Sequence, residues 1–427
     1  MALITVGPAG KDYTNFNEAW GAAGDGDTIE IFAGTYTGVT NVSLTPGTRS
    51  GVTVQAHAGD TVIFDGQALV NNIWDFQATC TSVSIYDIEF VNPLSSCIVF
   101  RSGIGGTQLV DGCEFGLGAA GNYCIYCVGT VSLVTTASVF YQYDDGITAP
   151  AASTFGVYAP TSATVLIDDN CDFHCLAICI QAMGTSAVTV NRALLHTYDW
   201  ALGAVNGFSN TGTGVCSIQN SILVGFTQGV ANTGADNAMP VQNCLVDLCT
   251  SGIYATKYCS AIDNNILIYC NKAIYGDNGA DQPAPNSNCF LGNTTDVYQY
   301  TAATNSSSGD PHFTDRAGHD YSFAGYIVGT EGKYQKTPCC DSGEYLSAIT
   351  EDYDGNPRPR NSMYDIGPYE FQGTSNLFTN RAVETATGDL VYWVSPCNPD
   401  LYMTYHPDTP DPADYEDFVV VNVRPME

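Results

Sequence analysis

Large apolar residues recur along the chain at a constant distance from a turn residue. In eight successive segments an Asx or other turn residue is followed three positions later by Phe, Leu or Val. The turn residues are Asp87, Gly112, Ala137, Asn170, Arg192, Asn220, Asn243 and Asn264, and their apolar partners are Phe90, Phe115, Phe140, Phe173, Leu195, Leu223, Val246 and Leu267. Successive turn residues lie 25, 25, 33, 22, 28, 23 and 21 positions apart. This period predicts the coils of a solenoid, with insertions in the longer coils.

Two further columns follow the same period. One contains Ile or Val, several of them after Gly or Ala: Ile98, Ile125, Ile147, Ile178, Val230, Ile253 and Ile274. The other lies directly after the turn residue and is mostly small: Ile88, Cys113, Ser138, Cys171, Ala193, Ser221, Cys244 and Asn265. Short β segments between Gly or Asn corners, without a 3.6-residue periodicity, predict an all-β chain folded as a parallel β-helix solenoid. Like residues then stack on successive coils in a narrow interior.

The two ends of the chain depart from the repeat. Asn15 with Glu18 matches a helix N-cap pattern, and Phe16 and Trp20 share one face, which predicts a short N-terminal capping helix. After about residue 300 the chain is irregular, and from residue 374 two strand-like pieces flank a Pro-rich loop. We therefore divide the chain into residues 1–300, an N-terminal cap and parallel β-helix; residues 301–373, an irregular end module closing the solenoid; and residues 374–427, a small β cap, anchor or oligomerisation segment.

The chain is strongly acidic. It contains 44 Asp and Glu against 13 Lys and Arg, for a formal net charge of −31. Such a surface repels polyanions, so nucleic acid is not an expected partner. No segment has the apolar length of a membrane span, and we expect no membrane insertion.

The cysteines indicate the compartment in which the chain folds. Their number, 17, is odd, and the chain is too large to need a disulfide framework. Most lie in apolar stretches, where a free thiol packs as a small hydrophobic residue. The N-terminal sequence has neither a basic n-region nor a long apolar h-region, which predicts that no secretory signal is present. Together these features predict reduced core cysteines and assembly in a reducing compartment.

Three stretches carry a resemblance to known proteins. GDGDTIEIFAGTYTG, residues 24–38, resembles the opening of pectin-lyase-like right-handed β-helix proteins. The stretches GDPHFTDRAGHDYSFA, TPCCDSGE and DYDGNPRPRNSMYDIGPYEFQ, which begin at Gly309, Thr337 and Asp352 respectively, resemble the terminal module that closes many bacterial and viral repeat proteins. This resemblance implies a right-handed β-helix with a closed end. It implies no particular reaction, because the module occurs on proteins of many roles.

The chain differs from polyuronate-cleaving enzymes of this fold in its cationic residues. Those enzymes generally use Arg or Lys as base and charge clamp, whereas Arg192 is the only cationic residue between Ser102 and Thr256. Hydrolysis of a neutral glycan needs two carboxylates and no cation. Glu89 and Glu114 fall at equivalent positions of adjacent coils, and Asp172 follows further along, so these three are the candidate catalytic residues. The alternative interpretation is a solvated acidic face.

Candidate glycan contacts are Tyr141, His174 and His196. The chain has 26 tyrosines, and those that are exposed beside Asp and Asn are suited to holding sugars or flat protein surfaces. His174 and His196 fall at equivalent positions of consecutive coils, where a stacked, hydrogen-bonded surface pair is the alternative to a ligand-binding role.

No metal site and no cofactor are predicted. Zinc needs four converging ligands, and the pairs Cys124 with Cys127 and Cys339 with Cys340 each stand alone. The acidic loops 168–170 and 263–265 could hold a structural calcium ion through oxygen ligands, or could simply cap turns. Both interpretations stay open.

We favour a non-catalytic function on these grounds: a structural or adhesive protein of a virion surface, such as a phage spike, fibre or capsid decoration. Assembly of such particles in the host cytoplasm accounts for the free cysteines and the missing signal. Its partners would be other virion proteins or surface glycans, and it could form a homo-oligomer. The alternatives are a glycoside hydrolase or lyase acting on a neutral polysaccharide, and a bacterial cell-surface adhesin located outside the cell.

Overall fold

Three long parallel sheets, here named A, B and C, wind into a right-handed β-helix. The computed structural model describes residues 1–118, 122–142, 154–174, 176–197, 206–234, 238–256, 258–276, 282–323, 327–328, 334–335, 337–360 and 363–371, and four short strands beyond residue 372. Each complete coil contributes one strand to each sheet, and every pairing within the three sheets is parallel and joins strands from successive coils.

The strands are numbered in chain order. Sheet A comprises β1 Leu3–Val6, β2 Thr28–Ile31, β4 Thr53–Ala56, β7 Ser84–Tyr86, β10 Thr107–Asp111, β13 Ser132–Thr136, β16 Thr164–Asp168, β19 Ala187–Asn191, β22 Ser217–Gln219, β25 Pro240–Gln242 and β28 Ala261–Asp263. Sheet B comprises β3 Gly34–Tyr36, β5 Val62–Asp65, β8 Glu89–Val91, β11 Glu114–Leu117, β14 Val139–Gln142, β17 Cys171–His174, β20 Ala193–His196, β23 Ile222–Val224, β26 Leu245–Asp247, β29 Ile266–Ile268, β31 Cys289–Leu291 and β33 Ser307–Ser308.

Sheet C comprises β6 Asn72–Phe76, β9 Ser96–Phe100, β12 Tyr123–Cys127, β15 Phe155–Ala159, β18 Ile178–Ala182, β21 Asn206–Asn210, β24 Gln228–Asn232, β27 Ser251–Ala255, β30 Lys272–Gly276 and β32 Thr295–Tyr298. The remaining strands form short antiparallel pairs: β34 Phe313–Asp315 with β35 Asp320–Phe323, β36 Ile327–Val328 with β37 Tyr334–Gln335, β38 Val383–Glu384 with β39 Leu390–Val391, and β40 Met403–Thr404 with β41 Asn422–Val423. Of the predicted C-terminal β segment, only the last two pairs lie within the described residues.

The predicted column of large apolar residues is confirmed as an interior ladder of sheet B. Phe90, Phe115, Phe140 and Phe173 pair directly from coil to coil, and Leu195, Leu223, Val246 and Leu267 continue the ladder. The four phenylalanines are fully buried. Their rings stack at centroid distances of 5.4, 5.0 and 4.3 Å, nearly parallel to one another. Such stacking adds to the stabilisation from burial alone.

The corner before sheet B is equally regular. All eight predicted turn residues have positive φ, including Ala137 at 47° and Arg192 at 49°, and this left-handed conformation turns the chain from sheet A into sheet B. The small residue that follows joins neighbouring coils: the Cys113 backbone N–H donates to Ser138 Oγ at 3.2 Å, and the Cys244 N–H donates to Asn265 Oδ1 at 2.9 Å. These bonds satisfy buried backbone donors that the sheets leave unpaired.

The predicted column of Ile and Val residues that begins at Ile98 is wrong at Ile178. In sheet C the interior ladder runs Ile98, Ile125, Val157, Ile180, Phe208, Val230, Ile253 and Ile274, while Ile147 lies outside the described residues. Ile178 pairs with Phe155 and Asn206 and is half-buried. The second and third residues of several sheet C strands are both buried, so simple alternation does not predict which side chain points inward.

A short helix, α1 Phe16–Ala22, precedes β2, as the N-cap pattern predicts. The Asn15 side chain accepts a hydrogen bond from the Glu18 N–H at 3.0 Å. Phe16 stacks on Trp74 of the first sheet C strand at 4.3 Å, and Trp20 packs edge-on against Phe76. No helix among the described residues is long and apolar enough to cross a membrane.

All fifteen described cysteines are buried and none forms a disulfide, as expected for small core residues; Cys175 and Cys397 lie outside the described part. Burial raises the pKa of several of these thiols, for example that of Cys113 and that of Cys127 to about 12, whereas a hydrogen bond with Cys339 lowers the pKa of Cys289. Thiols with a raised pKa stay protonated and unreactive near neutral pH.

The Phe ladder should be a large contributor to stability. Replacing Phe140, which stacks on a ring on both sides, with Ala should lower the free energy of unfolding by about 3–5 kcal/mol. The exposed Leu69 provides the control, because Leu69→Ala should change it by less than about 0.5 kcal/mol. Urea titrations followed by circular dichroism measure both, and equal midpoints for the two variants would contradict the interior assignment of Phe140.

Candidate functional site

The outer face of sheet B divides into two parts. From β23 to β31 its outward residues are buried and, apart from Asp247, mostly apolar: Ile222, Val224, Leu245, Ile266, Ile268 and Cys289. From β8 to β20 the outward residues are mostly polar or aromatic: Glu89, Glu114, Tyr141, Asp172, His174 and His196. We call these the covered face and the open face. All six candidate site residues predicted from the sequence therefore lie on one continuous surface.

The end module lies on the covered face. Its residues Tyr321, Cys339 and Ile366 pack there against the apolar residues of sheet B, with Phe313 and Tyr369 beside them. That residues 301–373 close the solenoid stays a prediction: Ser307–Ser308 adds the last strand of sheet B, and later residues of the segment fold back along the side of the solenoid. An apolar outer face needs a cover, and the end module supplies it.

A partly buried ion pair joins the end module to the covered face. The Arg316 guanidinium donates to both carboxylate oxygens of Asp247 at 2.8 and 2.7 Å, and the Tyr321 hydroxyl donates to the same carboxylate at 3.0 Å. Asp247 is fully buried. Burial raises the pKa of Asp247 despite these bonds, which lower it. Further along, the Asn264 side chain accepts from the Glu344 N–H at 2.7 Å and donates to the Glu344 carbonyl at 2.8 Å.

Glu89 and Glu114 are direct neighbours in the sheet. They pair across β8 and β11, so their backbones lie about 4.8 Å apart and their side chains leave the same face. Their environments differ: Glu114 is exposed, whereas Glu89 is half-buried. Burial raises the pKa of Glu89, the Glu114 carboxylate raises it further, and a hydrogen bond from Tyr141 lowers it in part. The two carboxylates are therefore inequivalent.

Tyr141 reaches Glu89 across the strand between them. Its hydroxyl donates to Glu89 Oε1 at 3.3 Å, although β14 and β8 are two coils apart. The ring crosses above Gly116 of β11, where a Cβ atom would lie 2.9 Å from the hydroxyl oxygen. Glycine at this position therefore makes the contact sterically feasible.

Asp172 is not a member of the carboxylate pair. Val139 occupies the intervening strand, which places Asp172 two coils, roughly 10 Å, from Glu114. It contacts two histidines instead: its Oδ1 lies 3.0 Å from His196 Nε2 and 3.6 Å from His174 Nδ1. Burial raises the pKa of Asp172, but the hydrogen bonds and charges of the two histidines outweigh this and lower it to about 2. Oxygen and nitrogen atoms at these separations can also bind a metal ion.

Two residues beside this cluster were not predicted from the sequence. The His319 ring lies 6.4 Å from that of His196. Burial raises the pKa of the Tyr353 hydroxyl, and the negative charge of Asp172 raises it further. Tyr353 therefore lies near the Asp172 carboxylate. Both belong to the end module. No local pattern indicates their role, because only the fold-back brings them to the open face.

The guanidinium groups near sheet B are bonded to carboxylates of the same chain. The pairs are Arg192 with Asp168, Arg316 with Asp247, and Arg358 with Glu370. Such groups are poorly available for an anionic ligand, because a guanidinium that bound the ligand would leave its own carboxylate without a partner.

The loops considered for calcium use their side chains within the protein. Asp168 Oδ1 accepts from Arg192 at 2.9 Å and from Asn191 at 2.9 Å. Asp263 accepts from Gln242 at 3.1 Å.

Other tyrosines cluster on sheet C. The rings of Tyr123, Tyr126, Phe155 and Tyr158 stack within 4.9–5.4 Å of one another on its outer face. A second group, Tyr254, Tyr275 and Tyr298, carries Lys272 over two of its rings. These aromatic surfaces are separate from the open face.

Comparison with solved structures supports the fold. The chain is similar to the crystal structure of pectate lyase Pel9A, with a TM-score of 0.59 and 14% sequence identity, over 87% of this chain and 96% of that chain. It also matches a rhamnogalacturonan lyase with a TM-score of 0.48 and 10% identity, over 74% of this chain and 91% of that chain. No family model matches, and no curated protein is similar in sequence. The likeness to Pel9A shows a shared right-handed parallel β-helix.

The Arg316–Asp247 pair should hold the end module in place. Arg316→Met leaves a buried carboxylate without its partner, which should cost about 3–5 kcal/mol. The end module should then be cleaved faster than in the wild type by a protease at low concentration, with fragments identified by mass spectrometry. The double variant Asp247→Asn, Arg316→Met should recover part of the resistance, because no buried charge remains. Equal cleavage rates in wild type and Arg316→Met would show that the pair does not secure the end module.

Proposed function

We propose that the protein hydrolyses a neutral polysaccharide on the open face of sheet B, with Glu89 and Glu114 as the catalytic pair. The observation that carries the proposal is the inequivalence of two carboxylates on adjacent strands. Glycosidases use one protonated and one ionised carboxyl group, and a raised pKa identifies the acid. Glu89 is therefore the acid and Glu114 the nucleophile.

The strand spacing supports a retaining mechanism. Retaining glycosidases hold their carboxyl groups about 5–5.5 Å apart, close to the distance between neighbouring strands. Glu89 donates its proton to the glycosidic oxygen while Glu114 attacks the anomeric carbon, and the leaving sugar departs. Glu89 then takes a proton from water, which attacks the anomeric carbon and releases Glu114.

Charge supports a neutral substrate. The net charge is −31, and the arginines near sheet B are already bonded to carboxylates. An anionic chain would be repelled from such a surface. The name of Pel9A indicates that a protein of this fold acts on a polysaccharide. That comparison supports a carbohydrate ligand. The charges of this chain support an uncharged one.

A non-catalytic role on a virion surface is the second candidate. It is supported by the fifteen described cysteines, which are buried and form no disulfides, as suits assembly in a reducing cytoplasm. In that role the open face would bind glycans or other virion proteins without cleaving them. Counting free thiols in the denatured, freshly purified protein tests this compartment argument, and mostly disulfide-bonded cysteines would favour an exported protein, such as a cell-surface adhesin.

Removing either carboxylate should abolish turnover. Glu89→Gln and Glu114→Gln should each lower kcat/KM by about 10²-fold or more, since a positioned proton donor contributes about 10²–10⁴-fold and the nucleophile forms the covalent intermediate. Reducing-sugar release from uncharged glucans, mannans, xylans and galactans measures this. Glu18→Gln, at an exposed position on α1, is the matched control and should retain full activity. Undiminished cleavage by both site variants would refute the catalytic assignment; no cleavage of any glycan by the wild type would favour the non-catalytic role.

The pH profile should report on Glu89. Activity should fall as pH rises through the Glu89 pKa, because the acid must be protonated. The Tyr141 hydroxyl stabilises the ionised form, so Tyr141→Phe should raise this pKa and move the alkaline limb of kcat/KM to higher pH, by about 0.5–1 unit. Tyr126→Phe, on sheet C, should leave the limb in place. A shift to lower pH in Tyr141→Phe would contradict the role of Glu89 as acid.

A further inference from the structure

Asp172, His174 and His196 form a compact group of metal-binding side chains on β17 and β20. We propose that this group is a binding site for a divalent transition-metal ion of the zinc class, with His319 of the end module placed to complete its ligands. The proposal does not depend on polysaccharide hydrolysis, because the site lies two coils from the Glu89–Glu114 pair.

The distances match those around a zinc ion. Asp172 Oδ1 lies 3.0 Å from His196 Nε2 and 3.6 Å from His174 Nδ1, and all three ligand atoms lie within 4.8 Å of one another. Zinc bonds of about 2.0–2.1 Å in a tetrahedral arrangement place ligand atoms about 3.3 Å apart. Small side-chain rotations therefore bring the three atoms to bonding distance.

The sheet holds the ligands in position. His174 pairs directly with His196 across β17 and β20, and Asp172 precedes His174 by two residues, so all three leave the same face. The His174 ring stacks on Tyr141 at 5.5 Å, and the His196 side chain is only 5% exposed. Side chains held by a rigid sheet lose little conformational entropy on binding a metal ion.

The ligand types favour zinc over calcium. Imidazole nitrogens suit Zn²⁺, Cu²⁺, Ni²⁺ and Fe²⁺. Calcium takes six to eight oxygen ligands, which one carboxylate does not supply. The site therefore differs in chemistry from the calcium loops considered from the sequence.

His319 gives the site a structural consequence. It lies in the turn between β34 and β35, and its ring is 6.4 Å from that of His196. A fourth ligand from this turn would join the end module to the solenoid through the metal ion. Metal binding should then stabilise the docked end module by mass action.

Calorimetric titration of the EDTA-treated, dialysed full-length protein with ZnCl₂ tests the proposal. One ion should bind per chain, and Co²⁺ at the same site should give the visible absorption of a tetrahedral complex. His174→Ala should weaken zinc binding by about 100-fold or more, since losing even an outer-shell partner costs 10–100-fold. His196→Ala should weaken zinc binding to the same extent. If His196→Ala does not fold, because His196 is buried, the test rests on His174→Ala, at the less buried position. His319→Ala should weaken binding by about 10-fold.

His312 and His57 provide matched controls. Each pairs with one carboxylate, Asp310 at 3.6 Å and Glu30 at 3.3 Å. His312→Ala and His57→Ala should therefore bind zinc as the wild type does. Circular dichroism confirms that each variant is folded. Undiminished zinc binding in His174→Ala, or equally tight binding of CaCl₂, would overturn the site; unchanged binding in His319→Ala would overturn the fourth ligand.

Discussion

In-register stacking of coils is the constraint on which the rest of the structure depends. Each outward side chain of sheet B is placed by the pairing of an inward one, because alternate residues of a strand point to opposite faces. The ladder through Phe90, Phe115, Phe140 and Phe173 fixes that pairing. A slip of one residue would bury Glu114 and expose Phe115. The Glu89–Glu114 pair and the His174–His196 pair therefore follow directly from the packing of the core.

The end module determines how much of this face a ligand can reach. Apolar residues from β23 to β31 lie beneath it, and the polar residues from β8 to β20 lie beyond it. Tyr353 and His319 stand where the two parts meet. Two kinds of chemistry then share one surface: an unequal carboxylate pair toward the N-terminal coils, and an Asp–His cluster beside the end module.

The sequence could predict the features that repeat locally from coil to coil, but not those that depend on contacts between distant residues. The Phe column and the adjacency of Glu89 and Glu114 are repeated at nearly constant spacing, so they could be read from one coil to the next. Ile178 was misplaced because sheet C strands bury two consecutive residues. The fold-back of the end module was not predictable, since the pairs that fix it are 69 residues apart for Asp247–Arg316 and 159 residues apart for Arg192–Glu351.

The apolar stripe beneath the end module also bears on how the chain is made. Ile222, Leu245 and Ile266 emerge from the ribosome well before Tyr321 and Ile366, which later shield them. At synthesis rates of about 5–20 residues per second, the stripe is bare for several seconds on every nascent chain. During that interval the stripe is exposed to chaperones and to the stripes of neighbouring chains, so the later-translated end module protects the earlier coils from aggregation.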